Sequence, residues 1–332
     1  MRSITGKAMR RIATAGVASG VLAAGALALG GAASASTAGA AHGHTTYRFS
    51  KLDNAHDVTF NQLLGINDHG KIVGYFGSGA AGHPNKGYQL LPPYTQQNYL
   101  NENFPGSVQT QVTGLNNHGV TVGFWSSMNN ANMVNDNHGF VDVHGHFRTA
   151  DFPTGSPASP PVDQLLGVND NGIAVGFYTD GAGTNHGYRY NIGTGRFRPI
   201  VDPNAPAASL TAAAINDIGG VAGFYTNPAT GNTDGFLKQH GQFIDLAAPG
   251  ASSTMALGVN NFDEVVGVYT PSSNSQALDG FTWTPQRGFT TVNDPHGIGT
   301  TTVNGVNDRG QLVGFYVDRA GHTDGFLASP QH

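Results

Sequence analysis

Apolar and polar residues alternate in short stretches along this chain, and one stretch occurs six times. Its first copy runs Leu64-Gly65-Ile66-Asn67-Asp68-His69-Gly70-Lys71-Ile72-Val73-Gly74-Tyr75-Phe76. Gly65 recurs as Gly114, Gly167, Ala214, Gly258 and Gly305, at intervals of 49, 53, 47, 44 and 47 residues. A period of that size means one supersecondary unit per copy, stacked on its neighbours. Within a unit the pattern predicts four strands. Strand A is the Leu64–Asn67 type, and an Asn-Asp-x-Gly turn leads to strand B, the Ile72–Phe76 type. A longer loop leads to strand C, marked by Gly87-Tyr88, Gly139-Phe140, Gly187-Tyr188, Gly235-Phe236, Gly280-Phe281 and Gly325-Phe326. Strand D is a Gly-x-Phe…Asp segment such as Gly145 to Asp151 or Gly195 to Asp202.

The sixth copy stops after Gly325-Phe326-Leu327 and has no strand D, whereas Tyr47–Leu52 is a strand D with no unit of its own. The two fragments complete each other if the chain closes on itself. The expected fold is therefore all-β: a six-bladed β-propeller of four-stranded antiparallel blades over residues 47–329. One N-terminal strand and three C-terminal strands would form the last blade. An open solenoid is the rival and would leave an orphan strand at each end. In the closed ring both faces of strand B read apolar because each blade is covered on both sides. The Phe-Tyr pairs and the strand C aromatics are then expected between blades. Gly65 and its equivalents would sit where six backbones crowd the axis.

Arg2, Lys7, Arg10 and Arg11 precede an Ala/Gly/Leu/Val run, and Ala33-Ser34-Ala35 follows as a cleavage site. Residues 1–35 are expected to be a secretory signal peptide, with 36–46 a flexible N-terminus. Arg10-Arg11 leaves the general and the twin-arginine export routes both open. The whole chain has 16 Lys+Arg, 21 Asp+Glu and a formal charge of −5. The leader holds four of those cations and no acid, so the mature chain stands at 12 against 21, or −9. No basic patch is evident, which argues against nucleic-acid and membrane partners. A secreted, extracellular monomer is expected. With no Cys it has no disulfides and must rely on its core.

The pattern Gly-[Ile/Val]-Asn-[Asp/Asn]-x-Gly-x-x-Val-Gly-[Phe/Tyr]-Tyr…Gly-Phe…Gly-x-Phe-x-x-Asp-x-Pro-Gly resembles the HAF-type repeats of exported bacterial proteins, from about Phe60 to Leu327. Ala214 for the first Gly, Asp263 for the turn Gly and an irregular strand D near Tyr94–Asn103 depart from it. The resemblance implies an extracellular, propeller-like repeat with no general activity. Size, export and architecture also resemble dispase autolysis-inducing proteins, which implies an effector of a secreted protease.

The six turn asparagines (Asn67, Asn116, Asn169, Asn216, Asn260, Asn307) are the most regular polar feature. Each is expected to cap its own A–B turn. Long B–C and D–A loops should share the opposite rim, where ligands are usually held. Just before strand C stand His138, His186 and Asp234 on three successive blades. Strand A starts at that rim with Gln62, Gln111 and Gln164, amides suited to sugars or peptides. These six are the candidate ligand-binding residues. Asp163 is the lone carboxylate among the strand A starts, too few for a glycosidase pair. No cofactor or metal is expected, although Asp180–Asn185 and Asn135–Asn137 offer oxygens to Ca²⁺. The chain thus reads as a binding module for an extracellular glycan or protein. A hydrolase or lyase using rim His and Asp is the alternative, and a protease effector the third reading.

Overall fold

The structure is a computed structural model of the 332-residue chain and describes residues 45–127 and 135–331. The leader over 1–35 lies outside the described residues, as does 36–44 of the expected flexible segment. Chain order begins with β1 (Thr46–Lys51). Blade 1 is β2 (Asn61–Ile66), β3 (Ile72–Phe76), β4 (Lys86–Leu90) and β5 (Tyr99–Asn101). Blade 2 is β6 (Gln109–Leu115), β7 (Val120–Ser126), β8 (His138–Val143) and β9 (His146–Thr149). Blade 3 is β10 (Asp163–Val168), β11 (Ile173–Thr179), β12 (Asn185–Asn191) and β13 (Arg196–Pro199). Blade 4 is β14 (Leu210–Ile215), β15 (Val221–Thr226), β16 (Thr233–Gln239) and β17 (Gln242–Leu246). Blade 5 is β18 (Ala251–Val259), β19 (Val265–Pro271), β20 (Asp279–Thr284) and β21 (Gly288–Thr291). Blade 6 takes β22 (Thr301–Val306), β23 (Leu312–Val317) and β24 (Thr323–Gln331), and β1 runs antiparallel beside β24, with Tyr47 opposite Pro330 and Lys51 opposite Phe326. The chain is a six-bladed all-β propeller. The irregular strand D of blade 1 is reduced to three residues, preceded by one turn of 3₁₀ helix at Gln96–Asn98.

The repeated Val-Gly of strand B has a steric cause. Strand A carries a bulge in every blade, as between Leu63 and Gly65. That kink presses a strand A carbonyl onto strand B. A Cβ at Gly74, Gly123, Gly176, Gly223, Gly267 or Gly314 would lie about 2 Å from it, 1.9 Å for Gly176 against the Gln164 oxygen. The first Gly of the motif answers to the axis instead. A Cβ at Gly114 would meet the Leu166 carbonyl at 2.8 Å and the Gly167 Cα at 2.9 Å in the next blade.

Between the blades lie six apolar seams, each holding one strand C aromatic. Tyr88, Phe140, Tyr188, Phe236, Phe281 and Phe326 are all fully buried. Burying each ring stabilises the ring of blades by about 2–3 kcal/mol. The second residue of each Phe-Tyr pair, as in Tyr178, Tyr225 and Tyr316, packs in these same seams toward the loop rim, whereas first members such as Phe177 and Phe224 join a separate cluster with Leu166, Ala213 and Leu257.

The turn asparagines tie the seams at the axis. Each side-chain oxygen accepts backbone N–H groups of its own turn, as Asn67 does from His69 and Lys71. Each side-chain nitrogen donates to the carbonyl of the next turn asparagine: Asn67 to Asn116, then Asn169, Asn216, Asn260, Asn307 and back to Asn67, at 2.9–3.2 Å. The next residues make a second circle. The N–H of Asp68 donates to the Asn117 side chain, and so on through Asp170, Asp217, Asn261 and Asp308 back to Asp68, at 2.7–2.9 Å.

Three seams also hold buried carboxyls. Lys51 at the end of β1 pairs with Asp53 at 3.0 Å and Asp324 at 2.8 Å, and burial raises the Asp53 carboxyl. Glu102 stands where the other blades place Leu52, Ala150, Ile200, Leu246 or Val292. It accepts from Thr121 and Gln89, and burial followed by the Asp142 charge raises its pKa. Asp163 accepts from the Tyr188 hydroxyl and the Phe152 N–H, and burial pushes it up to about 7.

Asn169→Ala removes the Ile173 cap and the donor to Asn216, leaving buried polar atoms unpaired. A loss of about 1–3 kcal/mol is expected from the urea unfolding midpoint. The raised carboxyls give a pH dependence of definite sign. Between about pH 4 and pH 7 folded Asp163 keeps a proton that the unfolded chain has released, so stability falls as pH rises. In Asp163→Asn the amide can donate to Tyr188 and its oxygen can accept from Phe152. Its stability should fall less steeply over that window in a pH series of unfolding midpoints.

Candidate functional site

The rim where strands A and C begin and strands B and D end carries the long loops. Aromatic rings gather there in a repeated arrangement. Phe152, on the loop after β9, stacks on Tyr178 at the end of β11 with centroids 4.6 Å apart. Tyr178 in turn stacks on His186, at 4.9 Å. The seam before it repeats the order with Phe104, Trp125 and His138, at 4.5 and 5.0 Å. His56 on Phe76 and His296 near Tyr316 are two-ring versions. The loop aromatics were not among the sequence candidates. Their signal was the Asn103-Phe104-Pro105 and Asp151-Phe152-Pro153 that follow strand D.

Beside one of these stacks lies a cavity of about 180 Å³, beneath the loop that joins blades 3 and 4. Tyr178, His186, Ile200, Asp202, Pro206 and Leu210 are among its walls. Asp202 is buried and its Oδ1 accepts the Asn204 N–H at 2.9 Å, so its position is fixed by its own loop. His186 Nε2 lies 2.8 Å from Asp180 Oδ2. Asp180 Oδ1 meanwhile accepts the N–H groups of Ala182 and Thr184. The carboxylate offered to calcium in the Asp180–Asn185 loop is thus engaged by that loop and by the imidazole.

The six sequence-derived candidates fall in different places. Gln62 is fully buried and accepts the Tyr75 hydroxyl at 3.0 Å. Gln111 and Gln164 donate to Asn85 and Asn137 of the preceding blade, at 2.9 and 3.3 Å. These amides join blades to one another. Asp234 accepts from Asn227 in its own B–C loop. His138 meets Asp151 through Nδ1 at 2.7 Å and Asp136 through Nε2 at 3.5 Å. The Asp151 hydrogen bond holds its pKa above the usual imidazole value despite partial burial. His138, His186 and Asp234 therefore each have a local partner, and only His186 lines the rim cavity. Among the described residues no three His, Cys, Asp or Glu side chains are grouped to hold a metal ion.

The opposite mouth of the axis is a shallow cup of about 70 Å³ lined by the two circles of turn residues. Its polar groups are the ones that already bond blade to blade.

No protein-family model matches the chain, and no curated protein matches it. The HAF-type resemblance accordingly rests on the motif alone. Solved structures do match in fold. AofleA from Arthrobotrys oligospora aligns with a TM-score of 0.51 at 11% identity, covering 86% of this chain and 88% of that one. A fungal lectin, the six-bladed β-propeller of Aleuria aurantia with a fucose recognition mode, aligns at 0.47 and 10%, covering 81% and 89%. At such identities the likeness is one of fold.

Proposed function

We propose that this protein is an exported binding module that seats one sugar residue of an extracellular glycan in the cavity between blades 3 and 4. The observation that carries this reading is the cavity's wall chemistry. An aromatic and aliphatic surface from Tyr178, Ile200 and Leu210 meets two polar groups, His186 and Asp202, held by their own loops. A sugar ring has an apolar face for such a surface and hydroxyls for such groups. Fucose recognition by the Aleuria aurantia lectin is a property of that lectin; it motivates the choice of glycans as the first ligands to test. The leader-like sequence at residues 1–35 supports export.

Binding is favoured over hydrolysis by the state of the imidazole. His186 Nε2 is committed to Asp180, and among the described residues no hydroxyl nucleophile is paired with it. On a glycan array the mature chain should retain a discrete set of glycans. His186→Ala should weaken the best of them at least tenfold, with a thermal midpoint within a few degrees of the parent. Unchanged binding by that variant, or an array with no retained glycan, would overturn the reading.

A further inference from the structure

The chain is acidic, yet one seam gathers cations. Arg189 on β12 lies directly opposite Arg198 on β13, and Arg196 lies opposite Asn191, two residues along from Arg189. Side chains alternate across a strand, so these three guanidinium groups share one face of blade 3. The other face carries Tyr188, Tyr190 and Phe197, which pack on one another toward blade 2. The arginines therefore face blade 4. From blade 4, Lys238 stands two residues beyond Phe236, whose ring fills the seam core with Ile200 and Val175. Lys238 thus leans into the same seam, its ammonium 5.0 Å from the Phe243 ring centre.

Among the described residues none of the four forms an ion pair with a carboxylate. Arg189 donates to the Gly219 carbonyl at 2.9 Å. The carboxylate that bears on Lys238 is Asp202, which is buried and held by Asn204. Burial and the charge of Arg189 hold the ammonium below its ordinary pKa. Like charges facing each other across strands destabilise a sheet. The preceding seam avoids this cost. There Arg148, the counterpart of Arg198, stands over the Tyr190 ring at 6.0 Å and donates to Ile192, and Tyr190 is the counterpart of Lys238. In the blade 3/4 seam a cation replaces that aromatic ring. Arg196 and Arg198 are exposed, so water and solutes reach this arrangement.

The cations and the rim cavity lie along one strand. β13 starts with Arg196 near the turn rim and ends with Pro199, which lines the cavity together with Ile200. We infer that the blade 3/4 seam takes a glycan bearing anionic substituents, uronate carboxylates or sulfate esters, with its anionic groups on Arg196, Arg198 and Lys238. Guanidinium forks suit both anions, since each presents paired oxygens. The inference rests on the glycan reading above and adds the class of glycan. The four cations are scattered over fifty residues of sequence, which is why no basic patch is evident before folding.

The test titrates dextran sulfate, polygalacturonate and neutral dextran into the mature chain over a range of NaCl concentrations. At least one acidic polymer should bind more tightly than neutral dextran, and the pair separates sulfate from uronate as the source of charge. Arg198→Gln with Lys238→Gln should weaken that binding roughly tenfold and lower the slope of log Kd against log[NaCl] by about 1 to 2. Arg287→Gln with Arg319→Gln, two arginines elsewhere on the ring, should leave both unchanged. The inference fails if the seam variant binds like the parent, if the control variant loses as much, or if a short DNA duplex binds more tightly than either acidic polymer. Failure of the glycan reading looks different: seam and salt effects persist while His186→Ala changes no binding.

Discussion

Six asparagine amides close a circle around the axis, and the ring depends on each of them. Every one is buried and uses both ends of its side chain. The oxygen fixes the turn that carries it, and the nitrogen holds the next blade. A circle differs from a row in that no member is terminal. Moving one blade outward leaves one donor and one carbonyl without partners on each side, at a cost of about 1–3 kcal/mol per buried group. The second circle, through Asp68, Asn117, Asp170, Asp217, Asn261 and Asp308, multiplies this constraint over the same seams. Small displacements at one seam must therefore be matched at the others. That is what lets loops on the far rim hold fixed geometry.

The circle also needs its two chain ends to meet. The contact between β1 and β24 supplies backbone pairing, with Phe49 edge-on to Phe326 at 5.4 Å. Lys51, Asp53 and Asp324 then lock the corner, and Asp53 Oδ1 accepts the Gly325 N–H. Blade 1 joins in from the other side: Gln96 donates to the Asp53 carbonyl and accepts the Ala55 N–H. The irregular strand D of blade 1 thus places a polar side chain on the joint where the two chain ends are held together.

Much of this architecture is legible in the sequence because each blade must solve the same packing problem. Val73-Gly74 and its copies recur since every strand A bulge presses a carbonyl onto strand B. Tyr88 and its copies recur since every seam needs one ring. The site was less legible, and the reasons differ by residue. Gln111 and Gln164 read as channel-mouth amides, but their partners Asn85 and Asn137 lie 26 and 27 residues away on another blade. An amide at a strand start has the same sequence signature whether it meets solvent or a neighbour. Phe104 and Phe152 are hard to single out from sequence because they sit in loops, where aromatic residues follow no strand periodicity. Arg189, Arg196, Arg198 and Lys238 are split between two blades, and only sheet register and seam geometry bring them to one face.

Repetition separates what holds the ring from what the ring is used for, though not by itself. A position kept in all six blades, such as the turn asparagine, serves a need that all six share. A position used once calls for a local reason, and two such departures have opposite answers. Glu102, Thr121 and Asp142 replace apolar residues in the blade 1/2 seam, but they are buried. Glu102 accepts from Thr121 and Gln89, so the departure is largely absorbed inside the protein. Arg198 and Lys238 also replace a satisfied pair, the cation–ring contact of Arg148 and Tyr190, yet among the described residues no carboxylate pairs with either, and the charge of buried Asp202 does not offset burial and Arg189 at Lys238. A buried departure can be balanced by its neighbours. An exposed and unbalanced one raises the energy of the free protein, and a bound anion lowers it again. On that ground the blade 3/4 seam, and not the more regular axis, is where this propeller departs from pure architecture.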